Sequence, residues 1–192
     1  QGEELGMTNY PFTDLSEFKD IESWDFYKLQ RQIGKSKEDI LNILRDMSRD
    51  NARTPMQWTS DIQAGFTTGI PWISVNPNYV NINAKDALAE PQSIFTTYQN
   101  LIRLRHDEDW VTTGETLFLD SVDSVIAYLR KTSHQTILVV INLSSYPQNF
   151  ESDFIIKRLI IGNVSFPDSL SMVLLQPWQA FAIEIDSVTR ED

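Results

Sequence analysis

The chain has 192 residues, 41% hydrophobic and 22% charged, enough for one ordinary domain or a small domain with part of another. A formal net charge of −11 argues against a nucleic-acid or anionic-membrane partner, leaves a neutral ligand such as a sugar open, and is accounted for equally well by solubility alone. The sequence contains no Cys, which excludes disulfides, Cys-ligated zinc and a thiol nucleophile together, and favours a cytoplasmic protein.

Residues 1–12 (QGEELGMTNYPF) read as a loop punctuated by Gly2, Gly6, Asn9 and Pro11. Residues 14–34 are polar and mixed, with a helix expected around Trp24 to Ile33. Ser36 to Met47 reads as a helix. Ser36 is its N-cap and Asp39 lies in the first turn, where the helix dipole favours an acid. Ile40, Leu41, Ile43, Leu44 and Met47 recur at three- and four-residue spacing and make its apolar face. Residues 49–83 are irregular, since Pro55, Gly65, Gly69, Pro71 and Pro77 rule out a long helix. Ser93 to His106 is the clearest helix, capped by Ser93, with Ile94, Tyr98, Leu101, Ile102 and Arg105 on one face. From there the text turns to short β-rich runs at 115–120, 124–130, 136–143, 155–161, 170–175 and 179–185. Several short strands at this spacing predict an antiparallel sandwich, with a boundary near residue 111. No internal repeat, basic-then-apolar signal peptide or ~20-residue apolar run is visible, and the start at Gln1 suggests a fragment or a processed chain.

Glycoside hydrolysis with retention needs two carboxyl groups about 5–5.5 Å apart. Glu3, Glu4, Asp20, Glu22 and Asp50 are the available acids in the irregular region. Glu3 and Glu4, at the end of a strand, would point to opposite sides. Asp20 and Glu22 would share one face of an extended segment. Arg49-Asp50-Asn51-Ala52-Arg53 follows a helix and opens a Pro- and Trp-containing loop. Two fork-shaped donors beside two acceptors suit a ring of sugar hydroxyls or a buried carboxylate network, and equally a structural salt bridge at a helix end. His106, at a helix C-terminus, and His134, in a hairpin turn, lack partners at metal-ligand spacing, so no metal or cofactor is expected. No nucleophile elbow or phosphate-binding Gly loop is present. Trp58 and Trp72 suit sugar stacking or core packing alike. Trp178, which follows Pro177, is expected in the core.

QGEELGMTN at 1–9, DIES at 20–23 and above all SRDNARTPMQW at 48–58 resemble the oligo-1,6-glucosidase and dextran-glucosidase group of glycoside hydrolase family 13. GIPWISVNPNY at 69–79 and SIFTTYQNLIRLR at 93–105 continue the likeness, which covers essentially the whole chain. The resemblance implies an α+β fragment: the end of a (β/α)8 barrel, with its last βα-loop and last helix, followed by an all-β antiparallel C-terminal sandwich. A whole barrel of about 250 residues does not fit. The expected domains are a catalytic-barrel remnant over 1–110 and a sandwich over 111–192.

In that family the nucleophile Asp, the acid/base Glu and the stabilising Asp lie on earlier strands, so none maps onto this chain. The resemblance implies substrate binding instead. Arg49 resembles the Arg that holds the non-reducing-end glucose, and Glu22 the carboxylate of the next subsite. Arg53, Asp50 and Glu4 support that wall or contact the sugar. The implied partners are a glucose-containing oligosaccharide and the missing N-terminal part of the barrel. The alternatives are a carbohydrate-binding sandwich module and a domain that braces a barrel.

Overall fold

The computed structural model describes residues 1–165 and 169–186, and the chain divides into two compact units, Gln1–Gln99 and Asn100–Asp192. In the first unit, glycines in the left-handed region, Gly2 (φ 83°) and Gly6 (φ 72°), bracket a 3-10 turn over Glu3–Leu5. Glu3 and Glu4 therefore sit on a tight turn and not at a strand end. A second 3-10 turn, Leu15–Glu17, is closed by a capping box between Asp14 and Glu17. Helix α1 spans Ile21–Gln32 and so begins before the expected Trp24, because the Asp20 carboxylate caps it by accepting from the Glu22 N–H. Asp20 and Glu22 accordingly lie on a helix start, not on an extended segment.

Helix α2 spans Lys37–Met47 and is capped by Ser36 as expected. Its Ile40, Leu41 and Leu44 are buried, whereas Met47 is exposed. These three close a core with Phe12, Leu15 and Phe18, where Phe12 and Phe18 stack with ring centroids 4.0 Å apart. Burying each such side chain contributes about 1.5–3 kcal/mol, which is what lets two helices and a coil segment fix one another. Beyond α2 the chain makes 3-10 turns at Arg49–Arg53, Ile62–Gly65 and Pro77–Val80, then helix α3 over Ala84–Ala89, capped by Asn83. The expected irregularity of 49–83 is thus local turn structure pinned by side chains. Buried Gln57 donates to Asn78 Oδ1 and to the Ile82 carbonyl, and buried Asn76 to the carbonyls of Thr8 and Asn9. Helix α4 runs from Ile94 to Asp107, started by Ser93 Oγ accepting from the Thr96 N–H.

Among the described residues, the second unit contains a one-turn helix, α5 (Asp109–Thr112), which the sequence reading did not expect, and seven strands. They are β1 Glu115–Phe118, β2 Val125–Lys131, β3 Thr136–Asn142, β4 Gln148–Phe150, β5 Ile156–Gly162, β6 Val173–Leu175 and β7 Ala180–Ile185. Strand β4 had no counterpart in the sequence reading, and β6 is shorter than the run expected from 170. One sheet has the order β1-β2-β3-β7-β5 and is antiparallel throughout; β4 and β6 pair in a second. Leu117, Leu129, Leu138, Ile183 and Leu159 lie in one register row across the large sheet. Strand β3 is covered on both faces: Leu138 and Val140 join a core with Phe150, Val173 and Leu175, while Ile137 packs with Trp110 and Ala182. Trp178 departs from expectation. It is 58% exposed, with φ 59°, at a turn before β7.

Candidate functional site

The RDNAR segment closes on the start of α1. Ser48 ends α2 and caps the 3-10 turn that follows, its Oγ accepting from the Asp50 N–H at 3.2 Å and sharing a hydrogen bond of 2.8 Å with Ser23 Oγ on α1. Asp50 is fully buried, and its Oδ2 accepts from the backbone N–H groups of Lys19 (2.7 Å) and Asp20 (2.9 Å). The turn thereby fixes the backbone that delivers Asp20.

Asp20 returns the constraint through its side chain. Arg49 donates from Nε to Asp20 Oδ2 at 2.7 Å and from Nη2 to Asp20 Oδ1 at 3.0 Å, a two-pronged contact that matches guanidinium to carboxylate. Arg53 Nη1 donates to Asp20 Oδ2 at 3.1 Å and lies 3.5 Å from Asp50 Oδ1. Glu22 is ion-paired with Arg49 Nη2 at 3.0 Å. Hydrogen bonding from Arg49 is the largest influence on Asp20 and holds its pKa at about 2, below its usual 3.8, against a burial effect that raises it. The same contact raises the Arg49 pKa.

Arg49, Glu22, Arg53 and Asp50 are therefore brought together around one carboxylate. Arg49 and Glu22 are solvent-facing, with side chains 53% and 69% exposed, and Asp50 is not. Glu4 stands apart on the turn at Glu3–Leu5 and makes no hydrogen bond or ion pair among the described residues. Asp20, the hub, is the member that the sequence reading left out of the binding set. The sequence offered only an Asp directly before a helix start; that the RDNAR turn reaches it is visible in the structure alone. A cleft of about 280 Å³ opens between α1 and α2, bounded by Asp20, Glu22 and Arg49 at one end and by Phe26, Ile43 and Met47 along its apolar side.

The arrangement can bind and orient. Asp20 is committed to arginines and Asp50 to backbone N–H groups. No carboxyl group among those with shifted pKa values (Asp14, Glu17, Asp20 and Glu184) is raised, as a general acid requires. Among the described residues no group of three or more metal-ligating side chains clusters, and no helix is long and apolar enough to cross a membrane.

The chain is similar to known glycosidases over nearly its whole length. The chain is 44% identical over 185 residues to the glucan 1,6-alpha-glucosidase of Streptococcus pneumoniae serotype 4, a match covering 96% of this chain and 35% of that protein. It is 39% identical over 193 residues to the oligo-1,6-glucosidase of Parageobacillus thermoglucosidasius, covering 96% and 34%. The crystal structure of Bacillus licheniformis trehalose-6-phosphate hydrolase superposes with a TM-score of 0.88 at 38% identity, covering 96% of this chain and 35% of the other. The chain thus spans about a third of the length of these relatives. The alpha amylase catalytic-domain model matches residues 1–114, which carry the whole Asp20 cluster, and the chain belongs to the alpha-amylase family.

Proposed function

We propose that the chain is the C-terminal part of a retaining exo-α-glucosidase that hydrolyses α-1,6-glucosidic bonds of isomaltooligosaccharides, and that it supplies part of the sugar-binding wall without the catalytic carboxylates. In this reading residues 1–110 are the end of the catalytic barrel and 111–192 form a C-terminal β-sandwich. The observation that carries the reading is the Asp20-centred cluster, which leaves Arg49 and Glu22 facing solvent side by side. Hydroxyl-rich sugars need such adjacent donors and acceptors. The glucan 1,6-alpha-glucosidase match holds 44% identity over 96% of this chain, whereas two trehalose-6-phosphate hydrolases hold 44% over only 79% and 38% over 96%, which favours α-1,6-linked glucans over a phosphorylated disaccharide. The half-exposed Ile94, Leu101 and Ile102 of α4 support a missing barrel partner.

In the intact enzyme an Asp from elsewhere in the barrel attacks the anomeric carbon while a Glu protonates the leaving oxygen, and water then releases α-glucose with retained configuration. Arg49 and Glu22 contribute by holding the sugars in the reacting orientation. The test is hydrolysis of isomaltose and of a chromogenic α-glucoside by this chain alone. No turnover is expected. Turnover in a preparation free of other glycosidases places a carboxylate pair within these residues and overturns the reading.

A second reading, a non-catalytic carbohydrate-binding module in the β-rich unit, is favoured by the exposure of Trp178 (58%) and Tyr146 (72%). The loops that carry them are joined by the Trp178 N–H donating to the Ser144 carbonyl. Isomaltose binding that Trp178→Ala abolishes supports this second reading, and binding unaffected by that change removes it.

A further inference from the structure

An ionised carboxylate has about four acceptor positions. Asp20 uses all of them: Oδ1 accepts from the Glu22 N–H and Arg49 Nη2, and Oδ2 from Arg49 Nε and Arg53 Nη1. Its side chain is only 4% exposed. Asp20 therefore has neither the free lone pairs nor the access to touch a ligand. Arg49 is the opposite case. Its side chain is 53% exposed, and among the described residues nothing accepts from Nη1. A long, exposed arginine ordinarily samples many rotamers, and this one is held at Nε and Nη2.

We propose that Asp20 is a positioning residue for substrate binding: it fixes Arg49 so that the Nη1 edge, with two unused N–H donors, is presented to the sugar beside the Glu22 carboxylate. The inference rests on the reading that Arg49 contacts the sugar. Arg53 serves the same end by supplying a second positive charge, which helps keep the buried Asp20 ionised while it holds Arg49. The paired Nη1 donors and the adjacent Glu22 acceptor match vicinal hydroxyls, which accept and donate in turn. Lysine cannot substitute, because a point charge has no planar fork to lock.

The experiment is steady-state hydrolysis of isomaltose by the full-length enzyme carrying Asp20→Asn, Arg49→Ala, Arg49→Lys and the Asp20→Asn/Arg49→Ala pair, with Tm measured for each. Asparagine keeps the α1 cap, at which Asn and Asp serve about equally, and removes the charge that holds the arginines. Asp20→Asn is expected to lower kcat/KM by about 100-fold, the scale of a misplaced positioning group, with a lowered Tm but a cooperative unfolding transition well above the assay temperature. Added to Arg49→Ala, it is expected to change kcat/KM little further, since its effect passes through Arg49. Losses that simply multiply in the pair, or a crippled Arg49→Ala beside an unimpaired Asp20→Asn, overturn the positioning role and leave the Arg49 reading standing. Parent-like kcat/KM in Arg49→Ala overturns the sugar-contact reading, and the proposal with it. If Asp20→Asn does not fold, Arg49→Lys decides: a loss near that of Arg49→Ala supports the locked fork, and parent-like activity overturns it.

Discussion

Arg49 lays the Nε–Nη2 edge of its guanidinium along the Asp20 carboxylate at 2.7 and 3.0 Å, across a turn that ties the end of α2 to the start of α1. The contact joins residues 29 positions apart and turns two exposed segments into one surface. The exposed remainder of the guanidinium is the chemically unspent part of the cluster.

Replacing Arg49 by Ala in the full-length enzyme should therefore act on catalysis more than on folding. Loss of a charge-assisted contact to a bound sugar is expected to reduce kcat/KM by about 2–5 kcal/mol. Asp20 keeps Arg53 as a partner in the variant, so the fold retains a compensated carboxylate. Steady-state kinetics on isomaltose check this; kcat/KM within a factor of about three of the parent contradicts it.

Much of the helical framework was legible from the sequence. The i, i+3, i+4 rhythm of Ile40, Leu41 and Leu44 and the Ser36 cap produced α2 at its observed place, and Ser93 marked the start of α4. The strands of the large sheet were legible from β-branched runs such as TILVVIN, because β3 and β7 are buried on both faces. Strand β4 was not, since Gln148 and Asn149 carry no apolar signal and only Phe150 enters the core. In the cluster, the arginines and Glu22 stood out as residue types, whereas the hub did not. Asp20 is defined by what reaches it from the RDNAR turn, and such long-range saturation of one carboxylate has no local pattern. Trp178 misled because Pro-Trp in a strand-rich text reads as core, while a left-handed turn there turns the ring outward.

The Asp20 cluster also makes stability depend on acid. Its folded pKa of about 2 lies below its usual 3.8, so it contributes stability that is fully present above the usual value and is lost as pH falls through the folded one. Urea midpoints of the parent and of Asp20→Asn should differ most near neutrality and converge between about pH 4 and pH 2, as the parent side chain becomes neutral. Losses at other carboxylates such as Asp14 and Glu184, whose pKa values are also lowered, are common to both proteins and cancel in the difference. A gap that stays constant down to about pH 2 contradicts the assignment.

Backbone strain sits at the turn Ile62–Gly65. Gln63 (φ 56°) and Ala64 (φ 55°) are both left-handed, and the Ala64 carbonyl accepts from the N–H groups of Trp58 and Thr59. Two hydrogen bonds converging on one oxygen hold the conformation although its residues disfavour it. Left-handed backbone costs an L-residue about 1–2 kcal/mol, and glycine avoids that at some entropic loss in the unfolded chain. Gln63→Gly should raise stability by about 0.5–1 kcal/mol. Chemical denaturation checks this; a decrease shows that the Gln63 side chain makes a contribution larger than the strain.

In the second unit, Glu184 on β7 is 5% exposed and pairs with both Lys157 and Arg158 of β5, the latter at 2.6 Å from Nε. A register irregularity between Ile156 and Arg158 directs two consecutive basic side chains to one carboxylate, where regular alternation would send them to opposite faces. Lys157 and Arg158 are half-exposed, so water can serve them when the acid is gone, whereas the carboxylate has no such recourse. The cost of removal should accordingly be asymmetric. Glu184→Leu is expected to cost about 1 kcal/mol or less, since an apolar side chain suits the site and the bases stay hydrated. Lys157→Met with Arg158→Met strands the carboxylate and should cost about 3–5 kcal/mol, offset in acid where Glu184 takes up a proton. Urea unfolding of the two variants decides the matter, and equal destabilisation would show that the pairing, not the burial of the acid, dominates at this bulge.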